Sequence, residues 1–172
     1  MDNAVVRVAS EELVARGAAV LRFNFRGVGA SDGEHDHGRG EQDDLRAVLE
    51  GLAERFPERA TWLAGYSFGA AVALRLLAED PPATAGILAL APPIEHYDFS
   101  FLESVETPLA LICGEHDELT PAKVIATRTA SWPTLRTVEW IPAVGHDLGT
   151  AGGTPQPLVA ALGRATEALG WR

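Results

Sequence analysis

Short apolar runs alternate with stretches of helical periodicity along this chain. Residues 4–16 place Val5, Ala9 and Leu13 on one helix face, and Gly17 ends that helix. Residues 19–25, AVLRFNF, read as a strand. Leu45, Val48, Leu49 and Leu52 are spaced for a helix over 41–55. TWLAGY at 61–66 reads as the next strand. Residues 68–79 are rich in Ala and Leu, with no breaker before Pro81, and predict a helix. AGILALA at 85–91, PLALICG at 108–114 and RTVEWIP at 136–142 read as further strands. Thr120 is the expected N-cap of a helix with Pro121 at its first position. Residues 155–170 predict a closing helix.

This order implies an α/β fold, a three-layer α/β/α sandwich around a mainly parallel sheet of about five strands. The 172 residues suit one domain, 1–172. GILALA and LALIC are apolar throughout, as expected of strands covered on both faces. In such sheets ligands bind beyond the carboxyl ends of the strands. Chemistry is therefore sought in the loops after 25, 66, 91, 114 and 142.

Composition removes several classes of partner. The net charge of −10 repels phosphate backbones, so nucleic acid is not an expected partner. Cys113, the one cysteine, allows no internal disulfide and reads as a small core residue within LALICG. The start, MDNAVVRVAS, carries an acidic second residue and no long apolar stretch. It reads as neither a signal peptide nor a lipidation site. No window reaches the length of a membrane span. The expectation is a cytoplasmic protein without a membrane partner.

The strand at 61–66 runs into Gly65-Tyr66-Ser67-Phe68-Gly69, and a predicted helix follows. G-x-S-x-G between a strand and a helix is the setting in which a serine hydroxyl is thrust above the sheet as a nucleophile. Glycines flank the serine to relieve a tight turn. The backbone N–H of Phe68, at the helix start, is placed to stabilise an oxyanion. The run 108–114 leads to Glu115-His116-Asp117, and the loop after 142 holds Gly145-His146-Asp147. Of the five histidines only His146 lies downstream of Asp117. Ser67, Asp117 and His146 thus follow different strands, in the order Ser, Asp, His. They form a candidate triad in which Ser67 attacks, His146 moves the proton and Asp117 orients the imidazole. Glu118 is a weaker candidate for the acid.

Other polar clusters read as structural. The loop RGVGASDG has neither a G-K-[ST] nor a G-x-G-x-x-G pattern, so it is not expected to hold phosphate. Arg26 is expected in a buried ion pair; the alternative is that Asn24 or Arg26 touches substrate. Glu34, His35, Asp36 and His37 lack a further ligand and read as a solvated loop with no metal. His96 and Tyr97 are expected at the pocket mouth, and His116 is expected either to support Asp117 from behind or to be exposed. The tryptophans are expected to pack in the core.

RFNFRGVGASDG, GRGEQDDL, LAGYSFGAAVALRL and the PP…YDFSFL stretch together resemble a small bacterial subgroup of α/β-superfamily hydrolases, related to dienelactone hydrolases and small serine esterases. The resemblance runs from residue 1 to about the last strand. It implies a serine hydrolase acting on small carboxyl esters or thioesters, with Ser67, Asp117 and His146 as nucleophile, acid and base. It implies no cofactor. The segment 92–107 is too short for a lid domain. Two departures stand out: dienelactone hydrolases carry cysteine at the nucleophile, and relatives tend to show H-F-F where this chain has His146-Asp147-Leu148.

The resemblance also implies strands and an oxyanion loop ahead of a segment like Met1-Asp2-Asn3, so Met1 reads as an internal methionine of a longer, N-terminally truncated protein. Loss of one oxyanion donor costs about 10²–10³ in turnover. Without the preceding strand, 19–25 and 61–66 must pair directly or leave open edges. Open edges invite association. The competing expectation is thus an inert fragment, or an association module forming a homodimer through its sheet edge.

Overall fold

The computed structural model describes residues 2–78, 83–153 and 155–171. Met1 and the end of the predicted helix 68–79, with its breaker Pro81, lie outside the described residues. The described elements are, in chain order, α1 (Ala4–Ala15), α2 (Gly40–Arg55), β1 (Trp62–Tyr66), α3 (Phe68–Arg75), β2 (Gly86–Leu90), a 3₁₀ turn (Ser100–Glu103), β3 (Leu109–Gly114), α4 (Ala122–Thr129), β4 (Leu135–Ile141) and α5 (Gln156–Ala168). The strands form one parallel sheet in the order β1-β2-β3-β4.

The sheet divides the core by strand parity. Ile87 and Ala89 of β2, with Leu109, Leu111 and Cys113 of β3, pack against Leu45, Leu49, Leu74 and Ile125 of α2, α3 and α4. Leu88, Leu90, Ala110 and Ile112 point the other way, against Val5, Ala9, Leu158 and Leu162 of α1 and α5. Successive strand side chains alternate faces, so a run apolar at every position fills both layers. This is the expected three-layer sandwich. Cys113 is fully buried, and burial first, then the charge of Asp117, pushes its thiol pKa up, so it stays a protonated core residue.

Helix α1 is bounded by local chemistry. The Asn3 side chain accepts from the Val6 amide. At the other end Ala18 N bonds to Leu13 O and Gly17 N to Val14 O, with Gly17 at φ +89°. This paired closure needs a left-handed residue, which glycine supplies without strain. Helix α4 starts one residue later than expected. Pro121 occupies the cap position, and the Thr120 hydroxyl donates to the Pro92 carbonyl at 3.2 Å.

The main correction concerns residues 19–25. They join no ladder, and among the described residues the sheet has four strands. The segment is held by its side chains and its end. Phe23 and Phe25 pack against the core, and Phe25 meets Phe68 edge-on at 5.9 Å. The Arg26 guanidinium grips Asp44 of α2 at 2.7 Å. Val20 and Leu21 remain 36% and 54% exposed, so the apolar run is not sandwiched as a central strand would be. Residues 19–25 and β1 do not pair with each other.

Candidate functional site

All strands are parallel, so their carboxyl ends lie on one edge of the sheet, and the three predicted side chains meet there. His146 Nε2 is 2.8 Å from Ser67 Oγ, and His146 Nδ1 is 2.9 Å from Asp117 Oδ2. The second Asp117 oxygen accepts from the amides of Leu119 at 2.9 Å and Thr120 at 3.3 Å. The Asp117 side chain is 1% exposed and that of His146 is 22% exposed. The carboxylate is thus oriented by backbone donors, while the imidazole can be reached from solvent. Glu118 is exposed and has no part in this chain of contacts.

The local folding of each loop explains the convergence. Ser67 joins β1 to α3 at φ +51°, a left-handed conformation that is costly for a serine. Its amide donates to Leu90 O at 2.9 Å, which anchors the turn to β2. Phe68 is the first residue of α3, where the opening N–H groups have no partner within the helix. The Asp117 and His146 loops are tied by Glu115 N to Ile141 O and His116 N to Val144 O. A Cβ on Gly114 would stand 2.4 Å from Gly145 O and 2.5 Å from Val144 O. A glycine at the end of β3 therefore lets the histidine loop close over the acid loop.

The two glycines flanking Ser67 prove unequal. A Cβ on Gly65 would meet Gly69 O at 2.5 Å and Ala70 N at 2.6 Å, whereas one on Gly69 would have nothing within 4 Å. Gly65→Ala is expected to destabilise the chain by about 1–3 kcal/mol through overpacking, a drop of several degrees in the thermal midpoint. Gly69→Ala, inside α3 with open space for its Cβ, should not lower the midpoint and should raise it by up to a few degrees, since alanine is favoured over glycine in a helix by up to about 1 kcal/mol. Thermal denaturation of both variants checks the contrast.

The segment from 26 to 44 is more ordered than a solvated loop. Glu41 has no exposed surface, and its carboxylate accepts from Asp36 N at 3.0 Å, Gly38 N at 2.7 Å and His35 Nδ1 at 2.7 Å. His35 in turn lies 5.2 Å from the Phe68 ring and 4.9 Å from His37. His35, Asp36 and His37 therefore brace α2 against the start of α3. Among the described residues no group of His, Cys, Asp and Glu could hold a metal ion. The expected Arg26 ion pair is present with Asp44, half-buried and multiply bonded. His116 is exposed, as expected, and so is His96. Tyr97 carries the Arg75 guanidinium over its ring at 5.6 Å. A depression of about 440 Å³ lined by Leu77, Phe101, Val105 and Thr107 contains none of the three converging residues.

This brace predicts an acid sensitivity. The hydrogen bond from Arg26 holds the Asp44 carboxyl below its usual range, outweighing burial. At Glu41 burial pushes the pKa up, but the amides of Asp36, Glu41 and Gly38 together with His35 bring it below the usual value. A lowered folded pKa contributes stability that is complete above the unfolded value of about 4 and is lost as pH falls through the folded value. Urea midpoints should therefore fall in acid below about pH 4. In a Glu41→Gln, Asp44→Asn variant that decline should be shallower, from a lower starting stability.

Comparison with known proteins places this arrangement. The family described as serine aminopeptidase, S33, matches residues 5–101. An α/β serine hydrolase without lid from Xanthomonas campestris superposes with a TM-score of 0.86 at 37% identity, covering 97% of this chain and 74% of that one. The chain belongs to the α/β-hydrolase superfamily. The chain is similar also to a serine hydrolase homologue from Coxiella burnetii, with a TM-score of 0.86 at 30% identity over 95% of this chain and 76% of that one. An uncharacterised protein of Rickettsia prowazekii is 40% identical over 126 residues, 71% of this chain and 52% of that protein. The chain thus spans about half the length of the curated relatives it matches. No helix among its described residues is long and apolar enough to cross a membrane.

Some residues at the site were not singled out as functional by sequence. Tyr66 was only the variable position of G-x-S-x-G. Its hydroxyl donates to the His146 carbonyl at 3.2 Å. Gly114 carried no signal beyond ending an apolar run. Glu41 stood in an acidic helix start, and nothing in its spacing foretold complete burial.

Proposed function

We propose that this chain is a serine hydrolase cleaving small carboxyl esters or thioesters through an acyl-enzyme. One observation carries the reading: His146 bridges Ser67 Oγ at 2.8 Å and the buried Asp117 carboxylate at 2.9 Å. In the proposed cycle His146 Nε2 takes the Ser67 proton as Oγ attacks the substrate carbonyl. Asp117 holds Nδ1–H and stabilises the imidazolium. The developing oxyanion accepts from the Phe68 N–H at the start of α3. The protonated imidazole then gives its proton to the leaving alcohol or thiol. A water deprotonated by the same imidazole releases the acid and restores Ser67. The chemistry draws on no cofactor. We read 1–172 as a single domain without a lid; the short 3₁₀ turn between β2 and β3 and the lidless relative support this.

The test is a fluorophosphonate probe with the adduct located by peptide mass. Labelling at Ser67 is the expected result, because such probes need a base-activated serine. A folded, monodisperse chain that resists labelling overturns the reading for this chain. The family's description names aminopeptidases, whose chemistry would use the same three groups. Parallel panels of p-nitrophenyl esters, thioesters and aminoacyl p-nitroanilides separate these substrates, with esters expected to turn over fastest.

A second reading has its own observation. β1 is an edge strand, and Val20 and Leu21 expose apolar surface. Exposed edges and apolar patches promote pairing between chains. On this reading the chain is an association module that self-pairs with Ser67 unreactive. Light scattering across a concentration series is expected to show dimer growing with concentration; a monomer throughout would remove this reading.

A further inference from the structure

We propose that Tyr66 is a positioning residue for the His146 base, tying the backbone of the histidine loop to the strand that delivers Ser67. The inference rests on the triad reading above. Tyr66 is the last residue of β1, directly before Ser67, and it packs on the α1/α5 side of the sheet. Its phenolic hydroxyl donates to the His146 carbonyl at 3.2 Å. Its ring centroid lies 5.3 Å from that of the imidazole, tilted by 39°. One side chain thus holds both the main chain and the ring of the residue that must move a proton to and from Ser67.

The loop needs such a tie. Ala143 and Leu148 bracket His146 at φ +58° and +52°, both left-handed and both non-glycine. Each such residue costs energy and persists only where surrounding contacts over-determine it. Leu148 is fully buried, and the Gly145 and Val144 carbonyls press against Gly114. These contacts anchor the loop to β3 and the core. The Tyr66 hydroxyl links the His146 backbone to β1. The 2.8 Å Nε2···Oγ contact joins groups from these two separately anchored elements, so the tie between them sets how often it is made.

The hydroxyl can play this part only as a donor, because a carbonyl only accepts. Burial, followed by the charges of Asp117 and Asp147, raises the Tyr66 pKa and keeps its proton in place at working pH.

The experiment is a double-mutant cycle on the second-order rate of fluorophosphonate labelling, with Tyr66→Phe, His146→Ala and the double variant alongside the wild type. Tyr66→Phe keeps the ring and should keep the thermal midpoint within a few degrees. It is expected to label about three- to tenfold more slowly, the scale of one neutral hydrogen bond. In the His146→Ala background the same change should alter the residual rate less than twofold, because Tyr66 acts through His146. A general packing defect would persist in both backgrounds. A second measurement covers a residual rate too slow to follow. The low-field proton resonance of the His146 Nδ1–H should exchange with solvent faster in Tyr66→Phe than in the wild type. An unchanged labelling rate, an equal loss in both backgrounds, or unchanged exchange overturns the assignment while leaving the triad intact. A folded wild-type chain that fails to label overturns the triad reading and this proposal together.

Discussion

Ser67→Ala is expected to eliminate fluorophosphonate labelling and to lower ester turnover by roughly 10⁶-fold relative to a labelling-competent wild type, the scale seen when a serine triad loses its nucleophile. The loss should fall on kcat, because the hydroxyl forms its bond only as the reaction proceeds. The change removes a single oxygen from a residue at φ +51°. That strain persists with alanine, so no gain in stability from relaxed backbone is expected. Among the described residues the Ser67 hydroxyl bonds to His146 Nε2, so its removal should leave the thermal midpoint within a few degrees. Residual turnover above a few parts per million of the wild-type rate, with the same substrate, would mean that another group does the chemistry.

Asp117→Asn should cost about 10⁴-fold in kcat with the fold retained. The geometry gives the reason. Asp117 Oδ1 accepts from Leu119 N and Thr120 N, and an asparagine oxygen can keep both bonds. The amide NH₂ then replaces Oδ2, 2.9 Å from His146 Nδ1. Two donors cannot face each other, so the imidazole must carry its proton on Nε2 and present Nδ1 to the amide. Nε2–H then points at Ser67 Oγ and cannot take its proton. Rates measured from pH 6 to 10 should stay low throughout, because raising the pH does not restore the tautomer. A variant retaining a tenth of wild-type turnover would show that Asp117 does not set the state of His146. Asp117→Ala offers a contrast: it also removes the acceptor for two loop amides and should lower stability as well as rate.

The apolar runs of β2 and β3 were legible because strands buried on both faces need apolar side chains at every position. Their parity then sorts Ile87 and Leu88, or Leu111 and Ile112, onto opposite layers without further information. The site was legible for a related reason. In a parallel sheet every strand delivers its carboxyl end to one edge, so Ser67, Asp117 and His146 could be gathered by their positions after three apolar runs. The run at 19–25 misled for a reason visible in the same physics. AVLRFNF has the composition of a strand, but a strand exists only with a ladder partner, and this segment has none in the sheet. Its phenylalanines pack as they would in a strand, which is why composition alone reported one.

The chain alone carried the order of the elements other than 19–25, the two-sided core and the identity of the three polar residues at the strand ends. Those follow from hydrophobic period and chain order, which are local or one-dimensional properties. Tertiary structure alone decided which contacts make the site hold together. Gly114 matters because two carbonyls from a loop some thirty residues downstream lie where its Cβ would be. Gly65 is confined by the turn it opens, while Gly69, alike in sequence, has open space. Glu41 is buried because the amides of Asp36 and Gly38 curl back onto it. Tyr66 reaches a backbone carbonyl eighty positions away. Such relations depend on distances between segments that only packing brings together, and no periodicity in the chain encodes them.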